Sequence, residues 1–379
     1  MSKSGMLSHL KVVELADTLG AYSGRILAEL GAQVTKIEPP QGDPGRRIGP
    51  FAKGADDAGL PWLAWNLGKT GLRLDLTESQ GLAELQALID TADILIQGGD
   101  DHLADLGLTY AHLAKRNPGL ISVIVAPFSE TGALDGAPAS DLTLMAMSGI
   151  MNMVGDPERA PLKLPGEQAY ALGGIQGVTA ALTALYARAH NDGKGERVWV
   201  SAYQSAVLAG YRDPIVWEWT GRIGQRTGNK LVRGKSGVRQ IWPTRDGHVT
   251  WSMVDNPGML NGMTTLMKAD GAAGTLADVV WENTLMADAP QEQIEAWEEQ
   301  VAAWLLTKSK HDMARLSGEM GLGLSKIDTP QEALASEHWA ARGFWQRLSD
   351  PARGLEVPVP GPLFRNVFEP APPSPAPKA

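Results

Sequence analysis

LKVVELADTLGAYSGRILAELGAQVTKIEPP, residues 10–40, places a strand, a glycine-containing turn, a helix and a second strand within about 30 residues. Leu10 to Leu15 form a short apolar run that reads as a buried strand, Gly20 and Gly24 open a helix that ends near Gly31, and Gln33 to Glu38 form the next strand. This is a βαβ unit, and its turn lies at the carboxyl end of the first strand. The pattern recurs downstream: Gly71 to Leu76 reads as a strand, Ser79 to Asp90 as a helix, Ile94 to Gln97 as a strand, the segment around Leu113 as a helix ending before Asn117-Pro118, and Leu120 to Val125 as another strand. Strands alternating with helices predict an α/β fold with a doubly wound parallel sheet, and ligands are expected at the carboxyl ends of its strands.

The spacing Gly20-x-x-x-Gly24 is not a dinucleotide fingerprint, and no P-loop lysine pattern occurs. These glycines read equally well as a tight turn with close helix packing. Glu14 and Glu38 are not placed as a ribose-binding acid would be, so NAD is not expected. Ala169 to His190 is rich in Ala, Leu, Gly and Val and predicts a long buried helix, followed by a turn at Asp192 to Glu196 and a strand at Val198 to Val200.

The composition shifts after about Trp219. Gly221 to Gly237 carries five lysines and arginines among glycines and reads as an exposed linker. Gln240 to Trp242 and His248 to Met253, joined through Asp246-Gly247, predict a hairpin that opens a second, smaller domain. Between Glu292 and Leu306, apolar residues at 3–4-residue spacing include Trp297 and Trp304, which read as core. The Pro-rich end, 370–379, is expected to be disordered.

The chain has 379 residues, 43% of them hydrophobic, enough for one large and one small core. It contains no cysteine, which excludes disulfides, thiolate metal sites and a Cys nucleophile. Its seven histidines show no i, i+3 or i, i+4 pair, so no metal is expected. A net charge of −9 opposes nonspecific nucleic-acid binding. No long apolar run or secretory pattern appears, and a cytoplasmic protein is expected.

Several segments, in order, resemble the family III CoA-transferases of the carnitine dehydratase/bile-acid-inducible F type. They are residues 10–50, GKTGLRLDL, DLGLTYAHLAKRNPGLI, DLTLMAMSGIMNMVGDP, TALYARAHNDGKGERVWVS, TRDGHV and EHWAARGFW. The resemblance implies a large CoA-binding domain made from both chain ends, here 1–218 and 322–379, around a small α+β domain at 219–321. It also implies an interlocked dimer and a CoA or acyl-CoA substrate. Family CoA positions fall on Gly20, Lys36, Glu38, Asn66 and Lys69, with Arg46, Arg47 and Arg73 nearby in sequence. Where the family usually has Arg-Pro-Gly after the fourth strand, this chain has Gly98-Gly99-Asp100.

Family transferases use an aspartate at the start of the long buried helix. It attacks the acyl-CoA carbonyl, giving a mixed anhydride and then an enzyme-bound CoA thioester. Counting from either side puts that position on Tyr170. The nearest carboxylate is Glu167, a displaced nucleophile or a helix-start carboxylate. The phenol of Tyr170 is suited to orienting a thioester oxygen or to packing at the pocket wall. GEQAYALGG and IWPTRDGHVTW resemble the branch that includes the two-subunit benzylsuccinate CoA-transferases, in which some chains lack the aspartate and act beside a paralogue that carries it. The expected function is therefore CoA transfer between an acyl-CoA and a carboxylic acid, as a homodimer or as the Asp-lacking partner in a heterodimer. Two alternatives remain: a CoA-thioester-binding subunit without chemistry, and an acyl-CoA racemase using Asp141, although Ser140 stands where racemases carry His.

Overall fold

A computed structural model of the chain describes residues 5–53, 55–233, 236–361 and 374–377. Contacts divide it into two compact units: Met1–Asn152 with Lys163–Gly224 and Glu337–Ala379, and Met153–Leu162 with Gln225–Ser336. The boundaries read from the sequence, after 218 and after 321, differ from these by 6 and 15 residues, and the short Met153–Leu162 segment groups with the second unit.

The first unit is built on six parallel strands: β1 (Lys11–Leu15), β2 (Gln33–Glu38), β3 (Thr70–Arg73), β4 (Ile94–Gly98), β5 (Ile121–Ala126) and β6 (Arg197–Ser201). Their order across the sheet is 3-2-1-4-5-6, the doubly wound order in which strand succession reverses between β1 and β4. The strands β4 and β5 are buried on both faces, as a sheet covered on both sides requires. All five residues of β4 and all six of β5 are buried.

Alternate residues feed two separate cores. Val12, Ile94, Ile96 and Val123 pack with the helices α1 (Thr18–Glu29) and α6 (Gln168–Ala189). Val13 and Leu95 pack with α3 (Ser79–Ile89) and α4 (Tyr110–Arg116). Two further helices bear on the site: α2 (Leu60–Trp65) and α5 (Asp141–Met147). The edge strand β3 is shorter than the Gly71–Leu76 run expected and is mostly exposed, although Leu74 beyond it is buried and donates its amide to Glu38 O at 2.9 Å.

The first unit depends on how closely α1 and α6 approach. Ser23 Oγ donates to Gly174 O at 2.8 Å. A Cβ on Gly174 would lie 2.8 Å from Tyr22 Cβ, and one on Gly177 would lie 2.5 Å from Ser23 Oγ and 2.9 Å from Val125 Cγ2. Small residues on one face of α6 thus bring the two helix backbones together.

In the second unit, Ile241–Thr244 pairs with Gly247–Thr250 as the expected hairpin, and Ser325–Lys326 adds a third strand. Part of the segment read as a linker is ordered instead: Lys230–Arg233 pairs antiparallel with Ser236–Arg239. Trp297 and Trp304 form core, as their spacing implied. Trp242, Trp251, Trp281, Trp297 and Trp304 are buried together. Indole N–H groups in this core find acceptors, such as Trp251 O for Trp242 at 2.6 Å and Leu322 O for Trp251 at 3.0 Å.

Of the Pro-rich end, residues 370–373 and 378–379 lie outside the described residues. Residues 374–377 are docked, with Gly68 N donating to Ser374 O at 2.9 Å and Arg353 Nη2 to Pro377 O at 2.8 Å. Among the described residues no helix is long and apolar enough to cross a membrane.

Two glycine substitutions should move stability in opposite directions. Gly→Ala in a helix interior gains about 0.8–1 kcal/mol of propensity, whereas overpacking costs about 1–3 kcal/mol. At Gly177 the clash outweighs the gain, so Gly177→Ala should lower the urea-unfolding free energy by about 1–2 kcal/mol. Gly318, in the helix Lys310–Met320, has no atom near its Cβ position. Gly318→Ala should therefore raise the unfolding free energy by about 0.5–1 kcal/mol.

Candidate active site

The reversal of strand order between β1 and β4 opens a crevice at the carboxyl ends of β1, β2, β3 and β4. It is lined by residues 15–17, 37–41, 43–44, 74–77, 97–98 and His102, and measures about 1290 Å³ with its mouth included. Glycines permit the close approach of the turn after β1 to the end of β4. Gly20 has φ +93°, and its Cβ position lies 3.4 Å from Gly98 Cα. A side chain on Gly98 would collide with Leu19 O. The Gly98-Gly99-Asp100 departure thus has a steric reason at its first residue.

Beneath the crevice lies a buried ionic cluster. Glu14 is 0% exposed, and its Oε1 accepts from Lys69 Nζ at 2.8 Å and from Lys36 Nζ at 3.4 Å. Lys69 also donates to Ala21 O and to Asn66 Oδ1, at 2.7 and 2.8 Å. Lys36 donates to Ala16 O and pairs with Asp43 at 2.9 Å. Glu14 Oε2 sits where any side chain on Gly24 would have to go.

Burial pulls the Lys69 ammonium down to about 8, Glu14 opposing that shift and the nearby Lys36 charge adding to it. Burial acts on Lys36 in the same sense, but Glu14 and Asp43 outweigh it and hold its pKa above the ordinary lysine value. The structure therefore brings Gly20, Lys36, Asn66 and Lys69 together, but with both ammonium groups inside the protein and already paired.

Glu38 is similarly occupied. It accepts Arg46 Nε and Nη2, both at 2.6 Å, and the Asp43 amide at 2.9 Å. Arg46 lies flat on Trp62, its guanidinium carbon 3.7 Å from the ring centroid. Of the expected cations, Arg47 and Arg73 are exposed.

The three catalytic candidates meet at the start of α6. Asp141, at the start of α5 and 6% exposed, accepts Ala169 N at 2.8 Å and Tyr170 N at 3.1 Å on Oδ1, and so caps α6 from a neighbouring helix. Its Oδ2 is buried without a hydrogen bond, with Lys163 Nζ 3.9 Å away. The Tyr170 hydroxyl donates to Ala139 O at 3.2 Å. Burial, with the charges of Asp17 and Asp141, pushes that phenol above its ordinary value. Glu167 precedes α6 and makes no cap hydrogen bond. It lines a narrow recess with Asp17, Thr18, Ala21, Gly45, Ile48, Pro61, Trp62, Trp65 and Asn66.

Sequence reasoning missed Asp17 and His102. Asp17 lines both the crevice and the recess. It accepts Leu19 N at 3.1 Å, capping α1. Although open to the cavities, it is ringed by protein. This burial raises its carboxyl pKa above the ordinary value, and Asp43 adds to the effect. His102 lines the crevice and a neighbouring cavity of about 580 Å³ beside Phe128 and Trp199. Asp17 stands immediately before the observed α1, the N-cap position at which an acidic residue is a recognisable signal; His102 left no pattern. Among the described residues no cluster suited to a metal ion occurs.

The burial of Lys69 makes its replacement a test of stability. Lys69→Met should cost about 3–5 kcal/mol in urea unfolding, because it leaves Glu14 charged and underpartnered. Between pH 8 and 10.5 the unfolded chain keeps a proton on Lys69 that the folded chain has shed, so this group makes wild-type stability rise with pH across that window. Subtracting the Lys69→Met profile from that of the wild type should isolate the rise.

Compared with known proteins, residues 7–379 match the model of CoA-transferase family III. The chain is 28% identical over 361 residues to a succinyl-CoA:(R)-benzylsuccinate CoA-transferase subunit of Thauera aromatica, covering 93% of this chain and 86% of that one. It is 30% identical over 353 residues to a succinyl-CoA–D-citramalate CoA-transferase of Chloroflexus aurantiacus, covering 92% and 85%. Among solved structures, a CAIB/BAIF family protein from Brucella suis superposes with a TM-score of 0.86 at 26% identity, covering 99% of this chain and 96% of that one.

Proposed function

We propose, from the premise that the chain belongs to CoA-transferase family III, that it moves CoA between an acyl-CoA and a carboxylic acid as the subunit of a heteromer whose other chain supplies the nucleophilic carboxylate. The observation that carries the reading is the crevice at the β1–β4 switch point, which shares Asp17 with the recess at the start of α6. A ligand lying in the crevice with its thioester toward α6 would bring the reacting carbon to the helix end where Glu167, Tyr170 and Asp141 meet.

In this reading Tyr170 replaces the family aspartate. A phenol forms no acyl anhydride, and this one is tied to Ala139 O. Its part is to shape the pocket wall beside the thioester, while Asp141 fixes the first amides of α6. A carboxylate from the partner attacks the acyl carbon, a C–O bond forms and the C–S bond breaks, releasing CoA thiolate. The thiolate then attacks the carboxyl carbon of that anhydride, freeing the original acid and leaving CoA on the enzyme for the acceptor carboxylate.

Gly20 and Arg73 border the ligand in this proposal, while Lys36, Glu38, Asn66 and Lys69 support the crevice floor from inside. An interlocked dimer, of identical or paralogous chains, is part of the same reading. The helix Arg212–Thr220 supports a subunit contact, since Ile215, Trp217 and Trp219 are 58%, 53% and 85% exposed. A racemase gains no support from the geometry: one oxygen of Asp141 is committed to two amides, and Ser140 Oγ accepts the Thr143 amide at 3.2 Å as the cap of α5.

The chain purified alone should transfer CoA more than roughly 10³-fold slower than the assembly with its paralogue, and should form no hydroxylamine-sensitive adduct when given acyl-CoA. Robust turnover by the lone chain, abolished by Glu167→Gln, would overturn the heteromer and make Glu167 the nucleophile.

A further inference from the structure

We infer that the imidazole of His102 is the phosphate contact of the crevice, so that CoA and its esters are held through a charge that is present below neutral pH and lost above it. The inference rests on the CoA-transferase reading and names the residue by which that same site holds the anionic end of its ligand.

CoA carries its negative charge on phosphates, which are best held by charged donors. Among the described residues lining the crevice there is no lysine or arginine, and His102 is the one that can become a cation. Lys36 turns to Glu14 and Asp43, Lys69 to Glu14 and Arg46 to Glu38. Arg73, whose guanidinium lies near Gly42, is not on the lining. His102 is exposed, and among the described residues it forms no ion pair. Its Nε2 accepts the Asp100 amide only at 3.5 Å, the edge of hydrogen-bonding distance. A phosphate can take that amide and, once Nε2 is protonated, the ring as well. The backbone makes room for this ring. Gly99 has φ +92°, and a Cβ there would lie 3.2 Å from His102 Nε2. The proline that the family usually has at this point fixes φ near about −65° and does not fit such a turn. The departure from Arg-Pro-Gly thus removes a permanent cation after β4 and leaves, further along the same turn, a group that is charged only when protonated.

The charged groups around His102 sharpen this dependence. Beyond β2, Asp43 pairs with Lys36 at 2.9 Å. Beyond β3, Asp75 Oδ1 accepts the Thr77 hydroxyl and amide at 2.6 and 2.9 Å. On the segment of His102 itself, Asp101 pairs with Arg197 at 3.2 Å, Asp100 Oδ1 accepts the Asp101 amide at 2.8 Å, and Asp105 is exposed to water. Arg197, from β6, is shared with Glu130 at 2.6 Å. Asp17, before α1, is raised above the ordinary carboxyl value by its burial and drawn down in part by His102. These carboxylates favour the imidazolium form. Once the imidazole is neutral, the same carboxylates leave the crevice repelling a phosphate.

The test is isothermal calorimetry on the full chain at constant ionic strength, with CoA and dephospho-CoA as probes. Affinity for either should fall roughly 10-fold from about pH 6 to about pH 8, the range in which an imidazole loses its charge. The 3′-phosphate of CoA gains charge over the same range and works against the trend, so dephospho-CoA should show the steeper profile. His102→Asn should weaken binding about 10-fold at the acidic end and flatten both profiles. His102→Lys should bind tightly at both ends, which also shows that the turn tolerates replacement. Asp17→Asn, which keeps the α1 cap, should leave the slope in place. An equal loss with both probes in His102→Asn puts the imidazole on the diphosphate, and a loss with CoA alone puts it on the 3′-phosphate. A wild-type affinity without slope, or a slope that His102→Asn keeps and Asp17→Asn removes, would overturn the inference while CoA binding kept the CoA-transferase reading intact. Failure of the wild type to bind CoA at any pH would instead overturn that reading, and the inference with it.

Discussion

One buried carboxylate holds the ligand-facing end of the first unit together. Glu14, at the end of the central strand, gathers Lys69 from the segment before β3 and Lys36 from β2, and its second oxygen occupies the space left by Gly24 on α1. Four pieces of chain therefore converge on one side chain. Such a cluster is costly to desolvate and worse to break, because removing any member strands a charge inside the protein. Its value is specificity of position. The turn after β1, the start of α1 and the lip of the crevice all take their places from it.

The same cluster explains why the crevice, in an acidic protein, is not lined by the lysines that family positions suggest. Those ammonium groups point inward and neutralise Glu14 and Asp43, while Arg46 is drawn to Glu38 and Trp62. Asp17, Asp43 and Asp75 remain on the crevice lining, with His102 beside them. In the proposed reading, anion binding there draws on backbone dipoles and His102 rather than on a ring of cations. At the other end, the recess beside α6 is aromatic and acidic. The two cavities share Asp17 but differ in chemistry, as the two ends of an acyl-CoA do.

Close packing sets a second constraint. The approach of α1 to α6 through Gly174 and Gly177 fixes where α6 begins, and Asp141 then caps it from α5. The location of Glu167 and Tyr170 thus follows from helix packing and one cap, with no metal or disulfide required to hold them.

The sequence by itself determined the doubly wound sheet, because apolar runs such as Ile121–Ala126 and glycine-marked turns encode local geometry that neighbours reinforce. It also determined the long helix read over residues 169–190, carried by its composition, and the core positions of Trp297 and Trp304, carried by side-chain periodicity. The pairing of Lys230–Arg233 with Ser236–Arg239 escaped it, since a run of cations and glycines reads as linker until a partner strand is in register. It could name Lys36, Lys69 and Glu38, but not which way they point. That was decided by tertiary structure: a charge within reach of both solvent and a buried carboxylate takes the partner that the packed strands and helices bring nearest, and sequence spacing carries no record of that distance. For the same reason Asp17, legible only as a helix cap, became the residue shared by both cavities once β1 and β4 were laid side by side.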